Sequence, residues 1–215
     1  VKHLHGWAFP DEDQFMAGEM KPDGSYQRGH LERALTYVRD FSLAIDGGAH
    51  VGTWTKPMCA VFARVLAVEP SADTFEALTA NVLVFGGANV TLHHAALGDT
   101  VGWVSMAPLD PRAAALHNTG ARFVRPGGTI PLLRIDDWQL PSCGFIKLDI
   151  EGSEPLALEG ARETLRRCQP IVLFENKGFW RHRYHQLIDA PQRVLASVGY
   201  RELDIVGKDV IWGPR

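Results

Sequence analysis

Cysteine is scarce, with three in 215 residues. Cys59, Cys143 and Cys168 form no CxxC pair and share no zinc-like spacing with histidine, which argues against a disulfide framework or a structural zinc site. Free thiols fit a reduced, cytoplasmic setting. Long apolar runs are absent as well. Nothing approaches the roughly 18 residues that cross a bilayer, and Val1-Lys2-His3-Leu4-His5 lacks the apolar core of a signal peptide. The first residue is not Met, which leaves room for an upstream segment. Neither charge sign is in excess: 22 Lys+Arg face 25 Asp+Glu, a formal net charge of -3. That balance gives no general attraction to nucleic acid or to an anionic membrane. Internal repeats and low-complexity tracts are missing too. What remains is an ordinary globular composition, 46% hydrophobic and 22% charged, in a length that suits one domain over 1–215.

Short apolar runs alternate with helical stretches. Residues 43–46, 65–69, 90–96, 145–149 and 171–175 read as strands. Residues 53–63, 74–84, 154–167 and 186–198 read as helices, with Ser71 as an N-cap and Gly199 past the last helix. Residues 201–204 and 209–212 form a closing hairpin around Gly207. Strands separated by helices predict right-handed βαβ units and a mostly parallel sheet. Two regions break the rhythm. Residues 1–42, with Gly6, Pro10, Gly18, Pro22, Gly24 and Gly29, are expected to form an arm and helix over the sheet edge or the site. Residues 107–128 hold three prolines and no clear period, and are expected to be a lid or insert.

Three motifs carry chemistry. Asp46-Gly47-Gly48-Ala49-His50-Val51-Gly52 follows a strand and opens a helix. Glycines there permit a tight turn and close approach to a ligand. The spacing lacks the G-x-G-x-x-G of dinucleotide sites and fits D-x-G-x-x-x-G, typical of S-adenosylmethionine sites. Glu69-Pro70 stands one βαβ step later, where an acidic side chain takes both hydroxyls of a ribose. Lys147-Leu148-Asp149-Ile150-Glu151-Gly152 ends a strand expected to be buried on both faces. Its three charged residues alternate, so they project to one side if the chain stays extended. Salt-bridged strand ends and ordinary glycine turns are the structural alternatives for these motifs.

Together with Asn81, Ala96-Leu97-Gly98-Asp99, Leu158-Glu159-Gly160-Ala161 and Glu175, these motifs resemble the FkbM-type methyltransferases, a branch of the class I S-adenosylmethionine-dependent enzymes. The likeness runs from about 43 to 175. It implies a Rossmann-like α/β fold with a mostly parallel seven-stranded sheet, helices on both faces and a C-terminal antiparallel hairpin. It implies methyl transfer from S-adenosylmethionine, commonly to a hydroxyl oxygen, with S-adenosylhomocysteine as product. Asp46, Gly48 and Gly52 would frame the methionine part, with His50 beside them. Glu69 would take the ribose, and Ala96 and Leu97 would lie along the adenine. Asp149 would meet the amino group or the acceptor.

An alcohol acceptor loses a proton on methylation, so a base within reach helps. Asp149 and Glu151 are the expected catalytic residues, with Glu175 and His50 as alternatives. Asp149, Glu151 and Glu175 also have the oxygen chemistry of a divalent-metal site, but an Asp-x-Glu pair is too common to assign one. Arg181-His182-Arg183-Tyr184-His185 has forked donors for an anionic acceptor such as a uronate, and Trp180 is a candidate for stacking on a sugar ring. The expected partner is a small molecule, a sugar or an anionic glycan. A nicotinamide oxidoreductase and a non-catalytic cofactor-binding module are the competing functions.

Overall fold

In the computed structural model, residues 1–21, 25–109 and 111–215 are described. Pro22 and Gly24 of the N-terminal stretch and Asp110 of the insert lie outside them. In chain order, β1 (Lys2–Leu4) and β2 (Trp7–Phe9) form a hairpin, followed by α1 (Phe15–Glu19) and α2 (Arg28–Leu35). Next come β3 (Leu43–Gly47), α3 (Thr55–Cys59), β4 (Arg64–Val68), α4 (Ala72–Val84), β5 (Val90–His93) and β6 (Ala96–Leu97). Then follow β7 (Gly102–Met106), α5 (Pro111–Ala115), β8 (Val124–Pro126), β9 (Ile130–Leu133) and β10 (Phe145–Leu148). The chain closes with α6 (Glu154–Glu159), α7 (Arg162–Cys168), β11 (Ile171–Glu175), α8 (Trp180–Arg183), α9 (Ala190–Ser197), β12 (Tyr200–Val206) and β13 (Asp209–Pro214).

The main sheet has seven strands in the order β12-β13-β11-β10-β3-β4-β5. The five strands from β11 to β5 are parallel, and β12 and β13 pair antiparallel at one side. The expected sheet, including its closing hairpin, is therefore present. Period-2 alternation sorts each central strand between two cores. Leu43, Ile45, Ile146, Leu148, Val172 and Phe174 face the cluster that also holds Leu158, Leu165 and Leu195 of the α6, α7 and α9 side. Ala44, Phe145, Ile171 and Leu173 face the other, with Leu31 of α2 and Met58 of α3. Fully burying one such side chain is worth about 1.5–3 kcal/mol. Strands apolar on both faces are what two helical layers require.

Several boundaries differ from the sequence reading. The predicted strand over 90–96 is two strands in different sheets, because the chain turns at His94 and the Ala95 amide closes on the His93 carbonyl. β6 then joins β7, β8 and β9 in a four-stranded sheet that the periodicity missed. The helix over 154–167 is broken at Gly160, where a Cβ would stand 2.0 Å from the Gly98 carbonyl oxygen. Close passage of the 98–99 turn sets that break. The helix over 53–63 shortens to α3, which contains Pro57, and the last helix begins at Ala190 with Pro191 in its first turn. Residues 107–128, expected as a lid or insert, carry secondary structure of their own. They contain α5, a 3-10 turn at Thr119–Ala121 and β8. The N-terminal arm packs on α4, where Asn81 exchanges hydrogen bonds with the Ala8 backbone and donates to the Val51 carbonyl.

Candidate functional site

From β3 the chain steps outward to β4 and β5, then returns to the other side of β3 for β10 and β11. The crevice beyond the carboxyl ends of β3 and β10 is thus a topological switch point, the place where open α/β sheets bind ligands. A cleft lies there. Residues 48–50, Glu69, Ala96-Leu97, Lys147, Asp149, Glu151, Glu175 and Lys177 line it.

The glycine turn is held from below by a buried ion pair. Lys147 Nζ lies 3.0 Å from Asp46 Oδ1 and donates to the carbonyls of Gly48 at 2.8 Å and Gly47 at 3.3 Å. Asp46 is fully buried and also accepts from Thr55 Oγ1 at 2.7 Å. Gly48 has φ +73, and a Cβ on it would stand 1.9 Å from the Asp149 carbonyl oxygen. Glycine is required here so that the two strand ends can pack together. Gly52, at φ +95, has Leu78 of α4 2.9 Å from its Cβ position. Asp46 and Gly52 therefore do not line the cleft; they shape the turn that does.

Glu69, 6% exposed, accepts the His50 amide at 3.0 Å and the Ser71 amide at 2.8 Å. Burial raises its pKa. Each oxygen keeps a lone pair beyond the backbone bond it accepts. His50 sits at φ +51, a strained setting for a non-glycine residue. Its Nε2 lies 2.9 Å from Thr119 Oγ1 and 3.4 Å from Asp13 Oδ2, and its buried Nδ1 has no hydrogen-bond partner among the described residues. Thr119 in turn donates to Asp13. Asp13 and Thr119 were invisible to sequence reasoning, since they lie in the two irregular regions. Arg122 makes a second tie. It donates to both Asp73 oxygens, at 2.6 and 2.7 Å, to Ser71 Oγ at 2.7 Å, and to Glu12. Burial alone would raise the Asp73 carboxyl, but the Arg122 and Ser71 contacts hold it down at about 2.

Beyond β10 the expected alternation fails. β10 stops at Leu148, and Glu151 takes φ +54 instead of staying extended. The turn nonetheless brings Asp149 and Glu151 together with Glu175 of β11, with one carboxylate oxygen from each lying within 4.8 Å of the others. Lys177 Nζ bridges Glu151 at 3.1 Å and Glu175 at 2.5 Å, while Arg183 Nη1 lies 3.1 Å from Glu151 Oε2 and also binds the Glu151 carbonyl. An ammonium and a guanidinium are thus the compensating charges of this cluster. Burial pushes the Glu175 carboxyl up to about 8, helped by the charge of Asp149 and opposed by Lys177. Tyr26 is pushed up to about 12 by burial and by the charges of Asp149 and Glu175, so its phenol stays neutral.

In the following segment the stacking expectation for Trp180 is corrected, and Arg183 of the basic run 181–185 is already paired. Trp180 is fully buried in the core, edge-on to Phe174, with its indole N–H on the Ile188 carbonyl. It has no face for a sugar. Arg183 lies 4.3 Å from the ring centres of both Phe123 and Phe179 and is spent on Glu151.

Comparison with known proteins agrees with this geometry. A family model described as a methyltransferase FkbM domain matches residues 46–202. The hexuronic acid methyltransferase AglP of Haloferax volcanii is 28% identical over 139 residues, covering 62% of this chain and 55% of that protein. The crystal structure of methyltransferase FkbM from Methylobacillus flagellatus superimposes with a TM-score of 0.56 at 21% identity, over 83% of this chain and 45% of that one. A precorrin-6y C5,15-methyltransferase from Geobacter metallireducens has a TM-score of 0.51 at 12% identity, over 99% and 100% of the two chains, a likeness of fold alone. The chain spans about half the length of the first two of these proteins. The family model takes in the glycine turn, Glu69, the acidic strand end and Glu175, the same residues that surround the cleft, and on that agreement the chain belongs to the FkbM methyltransferase family.

Proposed function

We propose that the protein transfers the methyl group of S-adenosylmethionine to a hydroxyl oxygen of a sugar or small natural-product acceptor. The observation that carries this reading is a single cleft at the switch point lined both by a buried Glu69 and by the acid cluster of Asp149, Glu151 and Glu175. The residues present fit the cofactor. Glu69 retains acceptor capacity for two ribose hydroxyls. Ala96 and Leu97 offer backbone and small apolar surface for an adenine. Residues 48–50 give a turn that a side chain at 48 would block, and Asp149 offers a carboxylate for an amino group.

When bound, the cofactor supplies an activated methyl on a good leaving group. The protein's own part is positioning and proton removal. As the acceptor oxygen takes the methyl group, its hydroxyl proton would pass to a carboxylate of this chain. Glu175 is the proposed proton acceptor, because a carboxyl raised by burial is better matched to neutral pH than an ordinary one. Glu151 stands beside it and anchors Lys177 and Arg183. The hexuronic acid methyltransferase relative supports a sugar acceptor. Its family favours methyl transfer over hydride transfer.

Calorimetric titration with S-adenosylmethionine, S-adenosylhomocysteine and NADH tests the cofactor. Micromolar binding of the first two, about -8 kcal/mol, is expected, and binding of NADH alone would reverse the reading. Release of S-adenosylhomocysteine with a glycoside panel then separates an enzyme from a binding module.

A further inference from the structure

The charges around the cleft point to the kind of acceptor it takes. Among the described residues that line it, three carry a full positive charge: Arg122, Lys147 and Lys177. Each is already spent. Arg122 holds Asp73 and Glu12. Lys147 holds Asp46 and two carbonyls of the glycine turn. Lys177 holds Glu151 and Glu175. Arg183, just behind, is bound to Glu151 and stacked between two phenyl rings. Turning Lys147 toward a ligand anion would strand Asp46, whose side chain is 0% exposed, and turning Lys177 or Arg183 would leave Glu151, 7% exposed, with one cation where it now has two. An uncompensated buried charge is strongly unfavourable. Asp149, by contrast, is in no ion pair among the described residues, so a ligand anion beside it would meet a carboxylate with no cation of its own.

Neutral groups line the cleft as well. Tyr26 and Phe123 bring rings, and Gln27 and Asn118 bring side-chain amides. The Gln27 carbonyl oxygen accepts from Trp54 Nε1 at 3.0 Å, which leaves its amide hydrogens for a ligand. Apolar rings with a few placed hydrogen-bonding groups suit a ring that carries hydroxyls.

We propose that the part of the acceptor entering this cleft is an uncharged, hydroxyl-bearing ring, a neutral sugar, and that a uronate or phosphate at the same position is rejected. This rests on the proposed methyl transfer to a hydroxyl, and it sets this chain apart from its hexuronic acid methyltransferase relative. A positively charged acceptor is disfavoured for a related reason. The carboxylate left unpaired is Asp149, which the proposed function reserves for the cofactor's amino group.

The test is saturation-transfer NMR on the full chain loaded with S-adenosylhomocysteine. The probes are methyl glucopyranoside, methyl glucuronide, glucosamine and glucose 6-phosphate at equal concentration. Binding of S-adenosylhomocysteine is measured first by calorimetry, and its absence would count against the proposed function. With the cofactor bound, methyl glucopyranoside is expected to bind at least about tenfold more tightly than the glucuronide, the effect of roughly 1.4 kcal/mol. Equal or tighter binding of the glucuronide, the phosphate or the amine overturns the neutral acceptor. So does a cofactor-loaded protein that binds none of the four.

Discussion

Asp13 and His50 meet over the cleft: Asp13 Oδ2 lies 3.4 Å from His50 Nε2, and Thr119 bridges the two. One comes from the N-terminal arm, one from the glycine turn and the third from the insert. Asp13 is fully buried and also accepts the Met16 amide at 2.8 Å. Burial works to raise its carboxyl, yet the contacts to His50, Thr119 and Met16 hold it below the ordinary value. Asp13→Ala is expected to cost about 1–3 kcal/mol through stranded buried partners and to loosen both outer segments. Hydrogen exchange should then quicken at 13–17 and 117–122 together. Faster exchange in one segment alone would mean that the tie does not couple them.

Glu69 holds two backbone amides besides its proposed ribose contact. Glu69→Gln keeps an acceptor for one of those amides, so it tests the ligand contact more cleanly than Ala. Weakening of S-adenosylhomocysteine binding by about 1–3 kcal/mol is expected, with a smaller change in unfolding temperature. Unchanged affinity by calorimetry would remove the ribose assignment.

Lys147→Met keeps the apolar stem and removes the charge that faces Asp46. A buried carboxylate is left alone, so unfolding by denaturant should show a loss of about 3–5 kcal/mol. Lys147→Met combined with Asp46→Asn should recover part of that loss, because the stranded charge is gone. A double variant no better than the single would place the effect in the carbonyl contacts to Gly47 and Gly48.

The acid cluster separates into two kinds of variant. Glu175→Gln is expected to lower turnover by about 10²-fold or more while sparing cofactor affinity, since it removes a proton acceptor. Glu151→Gln frees Lys177 and Arg183 from one partner and is expected to disturb the turn, raising acceptor KM along with its effect on kcat. Steady-state kinetics distinguishes the two. Equal, small effects in both would send the search for the base to Asp149 and His50.

Glu154 is buried and accepts the Ile150 amide at 3.0 Å, and among the described residues its second oxygen has no hydrogen-bond partner. Burial pushes its carboxyl up to about 7. A carboxyl whose folded pKa exceeds its unfolded value of 4.5 favours folding while it is protonated. That contribution is complete below the unfolded pKa and is lost as pH rises through the folded value. Glu175 acts in the same direction, up to about 8. Thermal unfolding should therefore show falling stability from pH 5 to pH 9, on the order of a few kcal/mol. Glu154→Gln should flatten that slope. A slope unchanged in the variant would exclude Glu154 as a source.

Much of this protein was determined by its sequence alone. Apolar runs separated by helical periods dictate a parallel sheet between two helical layers, because a strand apolar on both faces has to be covered on both. Glycines after β3 and carboxylates after β4 and β10 could be placed at one edge of that sheet, since in βαβ units the loops at strand C-termini all open the same way. What only the tertiary structure decided are contacts between segments with no periodicity in common. Asp13 reaches His50, Arg122 reaches Asp73, and Lys177 enters the acid cluster because folding brings separate loops to the same cleft. The roles of Gly48 and Gly160 were decided there too, by how near another backbone passes. A single side chain's pattern along the chain records which face it takes. It does not record which distant group will arrive to neutralise it, and that arrival is what distinguishes a free arginine from one already spent.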